Sequence, residues 1–282
     1  MKKIISILLV AISIGFSAYG QEKVQRTFHA TRIINSHTNE LLKSGILEFR
    51  ISHRFGSIDG GLSQFFGLDQ ASIRYALEYG INDWLMVGLG RSTFENTVDG
   101  FFKTRLVHQK KDGTPVSVNY FANIAINTLP MSSSERDADF TQRLAYAHQI
   151  IVARKFSEEF SLQISPTLVH QNLVTLVDDD NLTFAVGVGG KYNLTKVVSI
   201  NAEYIYRIPQ SDSPAFDNNH NSLSVGVNLE TRKHLFSLTL SNSVGQVEHI
   251  FITETADDWL DGNIRFGFNI LREFNLNKKR GK

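Results

Sequence analysis

The stretch "GNIRFGFNILREF", residues 262–274, lies near the end of the chain and decides the fold class. In an extended backbone successive side chains point to opposite faces. One face of this segment therefore carries four large apolar residues, and the other carries asparagine, glycine and Arg265. In a soluble barrel the apolar face is the core, whereas in an outer-membrane barrel it meets lipid and the polar face lines a lumen. The rest of the sequence chooses between these two folds.

Residues 1–20 have the features of a secretory signal peptide. A basic head, Met1–Lys3, precedes an apolar run, and Ala18 and Gly20 place small residues at positions −3 and −1 of a cleavage site. The run is shorter than the roughly 20 apolar residues that a membrane-spanning helix requires. We therefore predict export and cleavage after Gly20.

The composition excludes several classes of protein. The chain has no cysteine, which excludes N-terminal lipid anchoring, disulfides and thiolate chemistry. The net charge is +1 and the charges are scattered, so we predict no nucleic-acid partner. With 20 phenylalanines, 20 glycines and only 5 prolines, the composition is typical of a large curved sheet rather than of a disordered chain.

Twelve segments alternate apolar and polar residues with the period of a β-strand. The pattern is less clean near residues 97–108, 141–156 and 235–243. Most segments have about 9 to 12 residues, which is the length that crosses a bilayer at a tilt of about 45°. An even strand number is typical of bacterial single-chain barrels. The sequence thus predicts an all-β protein, a single closed antiparallel transmembrane β-barrel of about twelve strands over residues 45–274.

The links between these segments sort by length. Every second link is short: 80–83, 108–115, 157–159, 195–197 and 230–234. The other links are 56–70, 92–96, 129–139, 170–180, 209–220 and 244–261, and all but one exceed ten residues. Short periplasmic turns opposite long outer loops are typical of outer-membrane barrels, and a soluble barrel has no reason to sort its loops by side.

The polar faces carry charges that a dry core would not tolerate unpaired. We predict that they line the lumen: Glu48, Arg50, Arg54, Arg74, Glu78, Arg143, Lys191, Glu203, Arg207 and Arg265. Seven are basic and three are acidic, so the predicted lumen is net positive. Two interpretations stay open, an anion-favouring pore and a structural ladder of salt bridges that fills a narrow barrel.

Motifs for chemistry are weak. The histidines show no HxH or HExxH spacing, and the spacing around His148 singles out no serine partner. We predict no enzymatic activity, no metal site and no cofactor. Residues 21–44 are polar and do not alternate clearly, so they form a periplasmic segment, a lumen plug or a short helix. Residues 275–282 form a basic C-terminal tail.

Three stretches carry a family resemblance: "ATRIINSHTNELLKSGILEFRISHRFG" (Ala30–Gly56), "TVDGFFKTRLVHQ" (Thr97–Gln109) and "RLAYAHQIIVARKFS" (Arg143–Ser157). Together they resemble the domain-of-unknown-function 5777 family of β-barrel proteins from Bacteroidetes-type Gram-negative bacteria, over essentially the whole mature chain. The resemblance implies an outer-membrane barrel and transfers no substrate or active-site residue. One departure from the general outer-membrane pattern is that Phe274 is followed by eight residues, whereas the usual assembly signal ends the chain on an aromatic residue.

The leading functional prediction is a narrow channel or small-solute conduit in the outer membrane with a net-positive lumen. The alternative is a non-conducting binding or scaffold barrel with a plugged lumen and outer loops that contact ligands or partners. The expected partners are outer-membrane lipid, the barrel-assembly machinery during insertion, and a small solute or a periplasmic protein.

Overall fold

The computed structural model describes residues 22–130, 140–174, 179–209, 218–231 and 234–277. The predicted signal peptide and the last five residues of the basic tail lie outside the described residues. The strands are β1 Ile46–Ser57, β2 Ala71–Asn82, β3 Leu85–Ser92, β4 Val98–Val107, β5 Ser117–Ile126, β6 Leu144–Lys155, β7 Phe160–Gln171, β8 Leu182–Asn193, β9 Val198–Ile208, β10 Ser222–Glu230, β11 His234–Ser241 and β12 Arg265–Asn275. No helix in the described ranges is long and apolar enough to cross a membrane.

The twelve strands close into one antiparallel barrel. Each strand pairs with its neighbours in sequence, and β12 pairs with β1 in a register that places Ser52 opposite Asn269. The predicted fold, a closed twelve-stranded barrel, is confirmed. Closure leaves no free sheet edge, which is a requirement for strands that span a bilayer.

The orientation of the faces answers the question raised by the last strand. In β1, Glu48, Arg50 and Arg54 are buried inside the barrel, and the apolar residues that alternate with them face outward. In β12, Asn269 is buried, and the neighbouring Phe268 belongs to the outward face. Large apolar side chains such as those of Leu77, Leu89, Phe102, Ile124, Ile164, Phe184, Val227 and Leu238 are exposed on the outer surface. The apolar face therefore meets lipid, as it does in outer-membrane barrels.

The links divide the barrel into two ends. At the end that we name the turn end, the strands are joined by residues 83–84, 108–116, 156–159, 194–197 and 231–233. At the opposite, loop end, they are joined by residues 58–70, 93–97, 127–143, 172–181, 209–221 and 242–264. The length sorting predicted from the sequence is therefore present in the fold.

A segment before β1 enters the barrel from the turn end and returns to it. We name residues 27–40 the lumen hairpin. Its chain reverses where the Ile33 amide donates to the Ser36 carbonyl (2.9 Å), and the Thr38 amide donates to the Thr31 carbonyl (2.9 Å). The Glu40 carboxylate accepts the Thr27 amide (2.7 Å) and closes the base. Most of the hairpin is buried, although it belongs to no strand of the barrel.

A second segment enters from the loop end. The link between β11 and β12 contains the short helix α1, Glu248–Thr253, which we name the loop helix. Every residue of the loop helix is buried. A six-residue helix has little stability of its own in water, and no side chain caps its N-terminus at Val247. Packing inside the barrel must therefore supply most of its stability.

Candidate functional site in the barrel lumen

Glu203, midway along β9, holds the tip of the lumen hairpin. Its carboxylate accepts the backbone amides of Asn35 (2.8 Å), Ser36 (3.0 Å) and Ile34 (3.3 Å). Hydrogen bonds to an ionised acceptor are stronger than neutral ones. The reversal of the hairpin therefore depends on one carboxylate of the barrel wall.

A charged cluster of the wall contacts the first arm of the hairpin, at Thr31 and Arg32. Glu48 of β1 and Glu78 of β2 lie directly opposite each other in the sheet, an arrangement that is unfavourable for like charges. Thr31 donates its hydroxyl to Glu78 (2.9 Å), and Arg50 donates to both Glu48 (2.7 Å) and the Thr31 hydroxyl oxygen (2.8 Å). The Arg32 guanidinium lies 3.7 Å from Glu78. The hairpin thus helps to balance the two wall carboxylates.

Wall side chains also bind backbone carbonyls of the hairpin. The Lys103 ammonium donates to the carbonyls of Thr38 (2.9 Å) and Thr31 (3.2 Å), so it joins the two arms. The Asn119 amide donates to the Asn39 carbonyl (2.9 Å), and the Gln163 amide donates to a further hairpin carbonyl (2.7 Å). The polar wall therefore satisfies a backbone that forms no ladder with the barrel.

Two glycines of the wall make room for side chains in the lumen, Gly90 for Arg74 and Gly189 for Ile33. Arg74 of β2 reaches across β3 to Asp99 of β4 with two hydrogen bonds of 2.9 and 2.5 Å, and a Cβ at Gly90 would lie 2.2 Å from the Arg74 guanidinium. A Cβ at Gly189 of β8 would lie 2.2 Å from the Cδ1 of Ile33, at the hairpin tip. Both positions allow close approach, which is a common reason for glycine within a strand.

The lumen hairpin and the loop helix meet inside the barrel. Arg32 of the hairpin donates to the Glu248 carboxylate of the loop helix at 3.2 Å, and His37 lies 3.6 Å from the same carboxylate. Burial lowers the pKa of Arg32 and raises the pKa of Glu248. Burial, together with the positive charge of Arg32 and Lys103, lowers the pKa of His37 well below its usual value. His37 is therefore neutral at pH 7.

The loop helix rests on an apolar surface. Phe251 and Ile252 pack against small and branched residues that point inward near the loop end of β6 to β9, namely Ala147, Val169, Ala185 and Ile205. Ile250 and Val247 pack against Ala125 of β5. The wall is apolar where the helix lies on it and mainly polar around the hairpin.

One cluster of ionisable groups lies between the loop helix and the link that connects β3 to β4, at the loop end. Oxygen and nitrogen atoms of Glu95, His249 and Glu254 all lie within 4.8 Å of one another. Glu95 belongs to the link between β3 and β4, and the other two belong to the loop helix and its C-terminal end. Burial and the charge of Glu95 raise the pKa of Glu254 to about 8, and burial lowers the pKa of His249 to about 4.

Eight of the ten residues predicted to line the lumen are buried strand residues. These are Glu48, Arg50, Arg54, Arg74, Glu78, Lys191, Glu203 and Arg207. Arg143 lies in a short 3₁₀ turn before β6, half-buried, and donates to the carbonyls of Asn127 and Leu129. Arg265 lies at the start of β12 and donates to Asp257 (2.5 Å). A role for any of the ten in conduction stays a prediction.

Sequence reasoning missed several charged groups that the fold brings together. Asp99 and Lys103 of β4 face the lumen, but Phe101 faces the same way, which hides the alternation. Arg32 and Glu248 lie in segments without strand periodicity, so no pattern places them. Their contact inside the barrel depends on tertiary structure, which the pattern of a single sequence does not reveal.

His148, the residue weighed as a catalytic base, lies on β6 and exchanges a hydrogen bond with the Tyr120 hydroxyl (2.8 Å). In the ranges that the structure describes, no serine hydroxyl lies within hydrogen-bond distance of a histidine ring. The lack of enzymatic activity stays a prediction.

Comparisons with solved structures show the fold. The NanC porin superposes with a TM-score of 0.50 at 11% identity, covering 82% of this chain and 100% of that one. The KdgM porin gives 0.47 at 8% identity, covering 81% and 99%. An active-site variant of outer membrane phospholipase A from Escherichia coli gives 0.48 at 10% identity, covering 88% and 98%. At these identities the likeness concerns the barrel fold alone.

None of the curated protein sequences compared with the chain matches it. The sequence model of one protein family, described as the membrane-bound β-barrel domain DUF5777, matches residues 28–274. That range includes the lumen hairpin almost entirely, all but the final residue of the barrel, and the loop helix. The resemblance seen in the sequence is confirmed, and the chain belongs to the DUF5777 family of membrane-bound β-barrel proteins.

Proposed function

We propose that this protein is an outer-membrane conduit for small hydrophilic solutes that is closed at rest by the lumen hairpin and the loop helix. One observation carries the proposal: the two segments enter from opposite ends and meet at the Arg32–Glu248 ion pair (3.2 Å) inside the barrel. Each segment occupies its own part of the lumen, so the path is blocked twice in series.

The sidedness follows from the links. Outer-membrane barrels place short turns in the periplasm and long loops outside the cell. The lumen hairpin then enters from the periplasm, and the loop helix enters from the exterior. A solute on either side would meet a different obstruction.

The chemistry of the wall supports a conduit. Around the hairpin the wall carries charges and amides that water can solvate if the hairpin leaves. Among the described strand residues, six buried basic side chains (Arg50, Arg54, Arg74, Lys103, Lys191 and Arg207) stand against four acidic ones (Glu48, Glu78, Asp99 and Glu203). An excess of lumen arginine and lysine favours anions, so we propose an anionic small solute.

A second candidate function is a non-conducting binding barrel. The observation that favours it is the number of wall groups that bind the hairpin backbone, among them Glu203, Lys103 and Asn119. If these contacts never break, the hairpin is a permanent core, and the long loops carry the function.

Single-channel recording in planar bilayers tests whether the two segments close a lumen that can conduct. Three variants are compared with wild type. The first lacks residues 22–40, the second has residues 246–255 replaced by a short glycine-serine linker, and the combined variant carries both changes. Because the two blocks are in series, we expect the wild type and both single variants to be nearly silent, and the combined variant to give clear conductance steps. Lys111→Glu, in an exposed turn, is the matched control and should behave as wild type.

Heat-modifiable migration on gels checks that each variant forms a barrel. A folded combined variant that stays silent would overturn the conduit and favour the binding barrel. Arg54→Glu in the combined variant tests selectivity, and we expect it to reduce anion preference. An unchanged preference would remove the proposed role of the basic wall.

A further inference from the structure

The cluster of Glu95, His249 and Glu254 lies at the loop end, outside the strands that cross the membrane. Its ligand atoms come from two separate links and lie within 4.8 Å of one another. Ligands about 2.1 Å from a tetrahedral Zn²⁺ ion lie roughly 3.4 Å apart. The three groups must therefore approach one another by up to about 1.4 Å to hold such an ion.

The histidine supplies a second and separate observation. His249 is only 5% exposed, yet its Nδ1 has no hydrogen-bond partner. An unpaired buried polar atom costs free energy. The same ring has a nitrogen within the 4.8 Å cluster that contains both carboxylates. A neutral imidazole that faces two carboxylates is a typical donor set for a metal ion.

Neighbouring amides orient the carboxylates. The Gln171 side-chain nitrogen donates to Glu254 (2.7 Å), and the Gln171 oxygen lies 3.1 Å from the Thr253 hydroxyl, which also contacts the His249 carbonyl (2.5 Å). Asn127 donates to Glu95 (3.3 Å). Second-shell hydrogen bonds of this kind hold metal ligands in place.

We propose that Glu95, His249 and Glu254 bind one divalent first-row transition-metal ion of the Zn²⁺ type, with water at a fourth position. Calcium and magnesium prefer sites made of oxygen ligands alone, whereas one imidazole with two carboxylates suits zinc. The site is distinct from the Arg32–Glu248 contact, which uses a different carboxylate.

The bound ion joins the loop helix to the link between β3 and β4. It therefore tethers the helix at its C-terminal end, while Phe251 and Ile252 hold it on the wall. If the conduit proposed above exists, the ion stabilises the closed state from the outer side. Binding itself does not depend on that conduit.

The test is a calorimetric titration of Zn²⁺ into the refolded full chain at pH 7.5. We expect one saturable site, with affinity at least about 10-fold weaker in His249→Ala and in Glu254→Gln. His220→Ala is the matched control, because His220 also lies at the loop end and pairs with Asp258 (3.5 Å) instead. The site would be overturned if wild type showed no saturable binding, or if His249→Ala and Glu254→Gln bound Zn²⁺ as tightly as His220→Ala.

A third variant distinguishes loss of a ligand from misfolding of the loop helix. Glu95→Gln changes a residue outside the helix and leaves its apolar contacts in place, and it should also weaken binding at least about 10-fold. Hydrogen exchange of residues 247–255 then tests the tether: Zn²⁺ should slow exchange in wild type and not in Glu95→Gln. Binding without slower exchange would keep the site and overturn the tether, independently of any conductance result.

Discussion

The lumen hairpin and the loop helix fill the same barrel by different physical means. The hairpin also buries Phe28, Ile33 and Ile34, but its backbone is bound by charged and amide groups of the wall, among them Glu203, Lys103 and Asn119. The loop helix is positioned mainly by burial of Phe251 and Ile252 on a smooth apolar surface. Directional hydrogen bonds and charges bind the hairpin, whereas burial of apolar surface holds the loop helix.

This difference predicts how each segment can leave. Hydrogen bonds lost by the hairpin are replaced by bonds to water, so each contributes only about 0.5–1.5 kcal/mol net. Apolar side chains of the loop helix would be exposed to water, at a cost of about 1.5–3 kcal/mol for each large residue. Charge substitutions should therefore act on the hairpin, and volume substitutions should act on the helix.

The largest effect is expected at Phe251, which is fully buried under the loop helix. Phe251→Ala should lower the local stability of residues 248–254 by about 3–5 kcal/mol, because the loss of apolar contact leaves a cavity. Hydrogen exchange of these amides measures the change, and the hairpin amides should keep their protection.

Phe184→Ala is the control, because Phe184 points toward lipid. If Phe251→Ala sped exchange in the hairpin by as much as in the helix, the two segments would form one cooperative unit, and the comparison would fail.

A smaller effect is expected at Glu203. In Glu203→Gln, the amide nitrogen replaces one acceptor oxygen, so at least one of the three hairpin amides loses its partner. The hairpin tip should lose about 1–3 kcal/mol, seen as faster exchange of residues 34–36. Glu158→Gln, an exposed carboxylate near the turn end, should leave exchange unchanged. Faster exchange in the loop helix alone would contradict the assignment.

The smallest effect concerns pH and His37. Its pKa is depressed well below 6.5 by burial and by Arg32, Lys103, Arg74 and Arg50, while the Glu248 carboxylate at 3.6 Å opposes the shift. A depressed histidine pKa contributes stability that is present above the ordinary value and is lost as pH falls below it. The hairpin should lose no more than about 1.4 kcal/mol for each unit below pH 6.5.

His37→Phe should remove that part of the pH dependence. The ring of His37 packs edge-on against Phe101 and at a tilt against Phe121, and neither of its nitrogens has a hydrogen-bond partner, so phenylalanine keeps the contacts and leaves nothing unpaired. Hairpin exchange at pH 5 and pH 7.5 measures the difference. Equal pH slopes in wild type and variant would show that other groups carry the dependence.

The barrel itself was predictable for two reasons. Side chains in a strand alternate between the two faces of the sheet every two residues, and successive links lie at opposite ends of the barrel. The predicted lumen residues on regular strands, such as Arg50 and Glu203, are buried as their alternation indicates. On β4 the adjacent Phe101 and Phe102 point to opposite faces, so the apolar pair hid the inward Asp99 and Lys103.

The inserted segments were less predictable because tertiary contacts determine them. The loop-helix sequence "EHIFIT" is short and rich in β-branched residues, which disfavours a helix in isolation. The sequence of residues 21–44 left three structures open: a periplasmic segment, a plug or a short helix. The Glu95–His249–Glu254 cluster joins links that lie far apart in the chain, so no motif spacing reveals it, and the sequence predicted no metal site.

The closed lumen depends on the contact between the hairpin and the loop helix at Arg32 and Glu248. A double-mutant cycle of Arg32→Glu, Glu248→Arg and the exchanged pair tests it, with hydrogen exchange of residues 31–38 and 248–254 as the readout. The contact predicts that the exchanged pair recovers stability, with a coupling energy of about 0.5–3 kcal/mol. If the two single effects simply add, the hairpin and the loop helix do not interact, and the lumen is not closed by segments that meet from both ends.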